Sequence, residues 1–215
     1  MAEELGKITK PPVEDFKKGR KLYFVPLLIG SDDTPEEYLE KLGKYWEQVK
    51  KQLDELESKL GSINVIYHEL VPAAGEEGCN AVGDLCKDSH ALIKAYMEKG
   101  ARLDALEEVD ILTEFMDWGR CLLIGLQNSA VANKVYESYM ESGKKRNEFI
   151  AGKIDETLND DEIGILFMRE NHQVQFPSGI QVFYVAPPAL DEIKRWLRER
   201  DQQKMNSLEK EEEGK

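Results

Sequence analysis

Cysteine is scarce and odd in number: Cys79, Cys86 and Cys121 are all that the 215-residue chain contains. An odd trio in a chain of this length argues against a disulfide framework. No apolar run approaches the length needed to span a bilayer. The opening MAEELGKITKPPVEDFKKGRK lacks the apolar stretch of a secretory signal. Positive charge is in deficit, with 29 Lys and Arg against 42 Asp and Glu, a net charge of -13. Such a chain repels phosphate on average and is a poor general binder of nucleic acid. These absences lead us to expect a cytoplasmic protein with no membrane partner.

Several catalytic and cofactor signatures are also missing. Neither G-x-G-x-x-G nor G-x-x-x-x-G-K-[ST] occurs, and no G-x-S-x-G elbow. The glycine-containing stretch PAAGEEGCNAVGD, 72-84, reads as a long loop, and Glu76, Glu77 and Asp84 would repel phosphate there. Cys79, Cys86 and His90 form C-x6-C-x3-H. Structural zinc sites begin with two ligands two to four residues apart and need a fourth, so this spacing argues against zinc. No cofactor is expected.

What is present is enough apolar residue (41%) for a core and enough charge (33%) for a solvated surface. We divide the chain into a mobile polar arm at 1-20, a single α/β domain at 21-200 and a charged mobile tail at 201-215. KLYFVPLLIG, 21-30, reads as the first strand, and Pro26 places it at a sheet edge or on a bulge. SDDTPEE then starts a helix, with Asp33 or Thr34 as its cap. Leu39, Leu42, Trp46, Val49, Leu53, Leu56 and Leu60 keep three- and four-residue spacings, a heptad stripe over 34-60. The stripe predicts a long helix packed on its own core or, alternatively, a homodimer.

INVIYHELV, 63-71, is the second strand. A helical insertion follows at about 85-158. Within it, ILTEFMDWGRCLLIGL is apolar around much of its circumference and predicts the most buried helix. The long helix at 128-158 has Gly143 as an expected interruption. EIGILFMRE and GIQVFYVAP read as strands buried on both faces, joined as a hairpin with a short strand near Val174-Phe176. Pro187-Pro188 open the last helix. The fold class is therefore α/β, a layered, mixed sheet of about 4-5 strands with long helices.

In such a sheet ligands gather beyond the carboxyl ends of parallel strands. If strands 1 and 2 are parallel neighbours, Asp32, Asp33, His68 and Glu69 converge there. Asp32, His68 and Glu69 are then candidate catalytic residues, and Asp32, Asp33 and His68 candidate metal ligands for a metal-dependent hydrolase. Against this, Asp33 is explained as a helix cap, and His68 and Glu69 alternate in a strand, so only one faces any given site. Two basic clusters stand out from the acidic mean: Lys144-Lys145-Arg146, and Lys194-Arg195 with Arg198. Both are candidate contacts for a partner or nucleic acid, although cations near a helix C-terminus also answer its dipole.

Ile154-Asp155-Glu156-Thr157-Leu158, Asp161-Glu162-Ile163-Gly164-Ile165-Leu166-Phe167, His172, Phe176-Pro177, Ile180-Gln181-Val182 and Pro187-Pro188 complete the pattern at 150-190. This segment resembles bacterial and archaeal relatives of the eukaryotic peptide-chain release factor family. The upstream order of elements is similar to that family's central α/β domain, which implies an RNase H-like topology. The resemblance implies a binding role at a ribosome or structured RNA such as tRNA. It does not extend to peptide release, because no Gly-Gly-Gln tripeptide occurs. His172 is read as a turn residue between strands. The expected function is a binding or adaptor protein without a catalytic centre.

Overall fold

A computed structural model describes residues 18–31 and 33–213. Its elements are β1 (Arg20–Pro26), α1 (Glu36–Leu60), β2 (Val65–His68), α2 (Gly75–Leu85), α3 (Lys87–Glu98), β3 (Arg102–Leu103), α4 (Val109–Leu123), α5 (Ser129–Thr157), β4 (Ile163–Met168), β5 (Ile180–Tyr184) and α6 (Pro188–Glu213). The fold is α/β. The strands form one sheet in the order β3-β2-β4-β1-β5, and every neighbouring pair is parallel rather than mixed. Most of the arm expected at 1-20 lies outside the described residues. The tail expected from 201 instead continues α6 as helix to Glu213.

Alternation along the strands builds two cores, one on each face of the sheet. Tyr23, Val25, Ile66, Ile165 and Phe167 point to one face, where α1, α2, α3 and α6 cover them. Leu22, Phe24, Val65, Tyr67 and Leu166 point to the other, where Ile150, Ile154 and Leu158 close over them. The first face is thus roofed by four helices and the second by the C-terminal half of α5. Most of the heptad stripe of α1 packs within the chain: Leu42, Trp46, Val49 and Leu53 are buried on the sheet and Tyr38 meets Trp196 of α6, while Leu39 is exposed.

Several expectations are corrected. β1 is not an edge strand; it lies between β4 and β5. Pro26 is tolerated because its missing N–H falls on the β5 side, where the ladder has already ended with Val185 N–H donating to Phe24 C=O. The edges are β3 and β5, and Val182 and Tyr184 of β5 are exposed because α5 does not reach that far. β4 and β5 form no hairpin, and no strand forms at 174-176. Both strands run parallel to β1, so residues 169-179 must return along the second face. Val174 and Phe176 pack into its core on the way.

The stretch 72-84 is mostly helix: α2 begins at Gly75, which takes a positive φ, with Glu76 and Glu77 in its first turn. At α1 the N-cap is Pro35 without a side-chain hydrogen bond, and Thr34 Oγ1 instead accepts from Ser31 N–H at 2.8 Å. Gly143 does not interrupt α5. It lets Phe115 of α4 approach, since a Cβ there would meet the ring at 3.3 Å.

The largest correction concerns α4. Leu112 is its only buried residue, and Trp118 is half-buried. At 29 residues, roughly 43 Å of helix, α5 is about twice as long as the six-residue β4, roughly 20 Å. It overshoots the sheet at the carboxyl end of the strands. Its overshooting half pairs with α4 into a hairpin rather than with the core. Phe115 stacks on Tyr139 there, with centroids 5.0 Å apart.

Candidate functional site

The hairpin and the carboxyl ends of β2 and β4 enclose a cleft of about 540 Å³. Its walls are Phe115, Met116, Gly119, Leu122 and Leu123 of α4 and Tyr139, Met140 and Gly143 of α5. Opposite them lie Glu69 and Leu70 after β2, and Arg169, Asn171, His172 and Gln173 after β4. The sheet places these residues because polar side chains begin where the buried strands stop.

At the floor lies a buried ion network. Glu69 accepts from Arg169 Nη2 at 2.8 Å and from Arg169 backbone N–H at 2.9 Å, tying the end of β2 to the end of β4. Arg146 of α5 donates to Glu69 at 3.2 Å and, through Nε, to Glu107 at 3.0 Å; its Nη2 also donates to Glu107. Its guanidinium lies 5.1 Å from the Phe115 ring centroid. Glu107 also accepts from the N–H of Leu70, which holds a positive φ of 70°. That backbone conformation is strained for a branched residue, so Glu107 supports the turn leaving β2.

Arg146, Glu69 and Glu107 are each no more than 4% exposed. Burial alone would raise the Glu69 carboxyl, but hydrogen bonds from Arg169 and the charges of Arg169 and Arg146 hold it below the ordinary carboxylate value. The Arg169 guanidinium is raised in turn, chiefly by its hydrogen bond to Glu69.

His68 takes the opposite side of β2. Its Nδ1 lies 2.6 Å from Glu69 C=O and its Nε2 3.1 Å from Ser89 Oγ of α3. Burial pushes its pKa down to about 4, so the ring is neutral at pH 7. Nδ1–H then donates to the carbonyl, and Nε2 faces the Ser89 hydroxyl, whose single proton also reaches Cys86 C=O at 3.2 Å. His172 is half-buried between Phe24 and Phe176, at 5.0 and 5.6 Å, and burial lowers its pKa also. Its Nδ1 accepts from Val174 N–H at 3.2 Å, which leaves Nε2–H as the ring's donor.

The candidate residues are therefore dispersed and regrouped. Asp32 lies outside the described residues, and Asp33 is exposed after β1. β4 separates β1 from β2, so strands 1 and 2 are not the neighbours that convergence required. Among the described residues no group of three or more His, Cys, Asp or Glu is arranged to hold a metal ion. Glu69 and Arg146, read as parts of different sites, meet each other.

Lys145 pairs with Glu114 at 3.1 Å, Lys144 with Glu148 at 3.8 Å and Lys194 with Glu170 at 2.7 Å. Arg195 and Arg198 are exposed on α6, without an ion pair among the described residues. Arg169 and Glu107 escaped sequence reading. The signal for Arg169 was its position, the first charge after the unbroken apolar run of β4.

Fold and site together define a class: an all-parallel α/β protein with a cleft at the carboxyl ends of its strands, where ligands of such sheets bind. Compared with known proteins, the chain matches no family model, no curated protein and no solved structure. No described helix is long and apolar enough to cross a membrane.

Proposed function

We propose that the chain is a cytoplasmic binding or adaptor protein that holds its ligand in this cleft and has no catalytic centre of its own. The commitment of the floor charges carries the reading. Glu69, Glu107 and Arg146 are buried against one another, with Arg169 closing the network. A general base must be able to take a proton from substrate, and a nucleophile needs an adjacent activating base. A carboxylate held ionised by two guanidinium groups is a weak base and serves better as a brace. The volume falls in the range of small-molecule sites, and the apolar walls with a few polar groups suit binding.

Association with a ribosome or structured RNA is the partner form of this reading. The exposed Arg195 and Arg198 support it, as the cations of α6 best placed to meet phosphate. Two measurements test the proposal. Purified protein is assayed for bound divalent metal and for hydrolysis of p-nitrophenyl phosphate and p-nitrophenyl acetate; neither metal nor turnover is expected. Stoichiometric metal with turnover that Glu69→Gln abolishes would overturn the binder. Co-sedimentation with ribosomes tests the partner. It should weaken with added salt and in Arg195→Glu/Arg198→Glu, and pelleting indifferent to both removes the RNA contact.

A further inference from the structure

The cleft differs in charge from the molecule that carries it. The chain has a net charge of -13, yet Arg120, Lys144, Arg146 and Arg169 line the cleft against a single carboxylate, Glu69. The two inner arginines are balanced by Glu69 and Glu107, so the sign of the cleft is set at its rim. Arg120 and Lys144 stand there, exposed, each beside a carboxylate that does not line the cleft: Asp117 at 2.7 Å and Glu148 at 3.8 Å. Exposed pairs of this kind are held by about 1 kcal/mol or less and re-pair readily.

The hydrogen-bonding groups have the same bias. Arg169 gives Nε and Nη2 to Glu69, and Nη1 remains without an acceptor among the described residues, on a side chain that is 48% exposed. His172 offers an Nε2–H donor. The third feature is apolar. Met116, Met140 and Leu123 line the same cleft while remaining exposed, Leu123 at 86%. Thioether and branched side chains adapt to varied apolar shapes, and clustered exposed apolar surface marks a binding region.

We infer that the cleft takes a small organic anion, a carboxylate, sulfonate or phosphate on an aromatic or branched aliphatic body. The charged group meets Arg169, Arg120 and Lys144, and the body lies against Met116, Leu123 and Met140. This rests on the binding reading above and adds the ligand's class to it. Rim cations attract the anion, donors at the floor orient it, and the neutral inner network leaves no buried carboxylate to repel it.

Two fluorescent probes with one aromatic body test this: anilinonaphthalene sulfonate, which is anionic, and N-phenylnaphthylamine, which lacks the sulfonate. Each is titrated into the full chain and into two variants altered at exposed positions, Arg120→Glu/Lys144→Glu and Leu123→Asp. Circular dichroism checks that the fold is kept. The expected result is one saturable site that prefers the anionic probe by about tenfold or more. Charge reversal should remove that preference without weakening the neutral probe, and Leu123→Asp should weaken both. Equal binding of the two probes, or anionic binding indifferent to charge reversal, overturns the anion class. If the neutral probe still responds to Leu123→Asp, the cleft remains a binding site. Failure of both probes to bind overturns the inference and the small-ligand form of the proposed function together.

Discussion

α1 and α4 are both rich in large apolar side chains, yet α1 buries Tyr38, Leu42, Tyr45, Trp46, Val49 and Leu53, and α4 buries only Leu112. The difference lies in what covers the apolar side: the sheet for α1, one helix for α4. In α1 the apolar residues form one stripe with Glu, Lys and Gln elsewhere, so one orientation satisfies the helix and the sheet supplies the matching surface. In α4 the apolar residues also share one side, Ile111, Leu112, Phe115, Trp118 and Leu122, with Asp110, Thr113, Glu114, Asp117 and Arg120 on the other, but no sheet lies under that side. Its position follows from α5, which is too long for the sheet and carries α4 beyond it. The apolar surplus of Met116, Leu123 and Ile124 is left exposed. Periodicity in a helix reports orientation, but it does not report how much surface will cover the apolar side.

The contrast is sharpest at the base of the hairpin. Glu107→Ala removes the main partner of buried Arg146 and should cost about 3–5 kcal/mol, measured by urea unfolding. Glu107→Leu/Arg146→Met removes both charges and should cost clearly less than the sum of its single variants. A loss below about 1 kcal/mol for Glu107→Ala would mean that the network does not brace the hairpin on the sheet. In α1, Leu53→Ala should cost about 2–5 kcal/mol, because no part of the side chain is exposed and a cavity remains.

The packed layer and the cleft also separate by pH at two adjacent residues, His68 at the end of β2 and Glu69 just after it. His68 faces the packed layer, and its pKa falls from 6.5 to about 4 on folding. The folded state therefore favours the neutral ring. That stability is fully present above pH 6.5 and is lost as pH falls through about 4, at about 1.4 kcal/mol per unit or roughly 3 kcal/mol in all. His68→Gln should flatten the fall of the thermal midpoint between those pH values.

Glu69, facing the cleft, acts at lower pH. Its depressed carboxyl contributes above the ordinary carboxylate range and loses that contribution as pH falls below it. Glu162, brought down to about 2 chiefly by its hydrogen bond from Arg102, does the same at the opposite end of the sheet. The smallest effect is expected at the hairpin tip. Leu123→Ala should leave stability within about 0.5 kcal/mol of the parent, and a larger loss would mean that the tip is covered.

The sheet was legible where strands were unbroken: LYFV, VIYH and ILFM all become buried strands. Pro26 misled because a proline's position in a sheet depends on which neighbour its missing N–H faces. GIQVFYV misled because an apolar run does not reveal whether a second strand or a helix will cover it. At the site, Glu69 and Arg146 were each visible as charges, but not as partners. They are 77 residues apart, and no local spacing encodes that meeting. Glu107 had no signal beyond lying next to Glu108.

By itself the sequence determined the α/β class, the α1 stripe and the acidic surface. These depend on side-chain period and composition, which act within a few turns of chain. Only the tertiary structure decided the strand order, the exposure of α4 and the cleft with its neutralised floor. Each of those depends on which distant segments meet: β4 enters between β1 and β2, and α5 runs past the sheet. That overshoot sets α4 against the strand ends, so the cleft arises from a mismatch in length between a helix and the strands beside it.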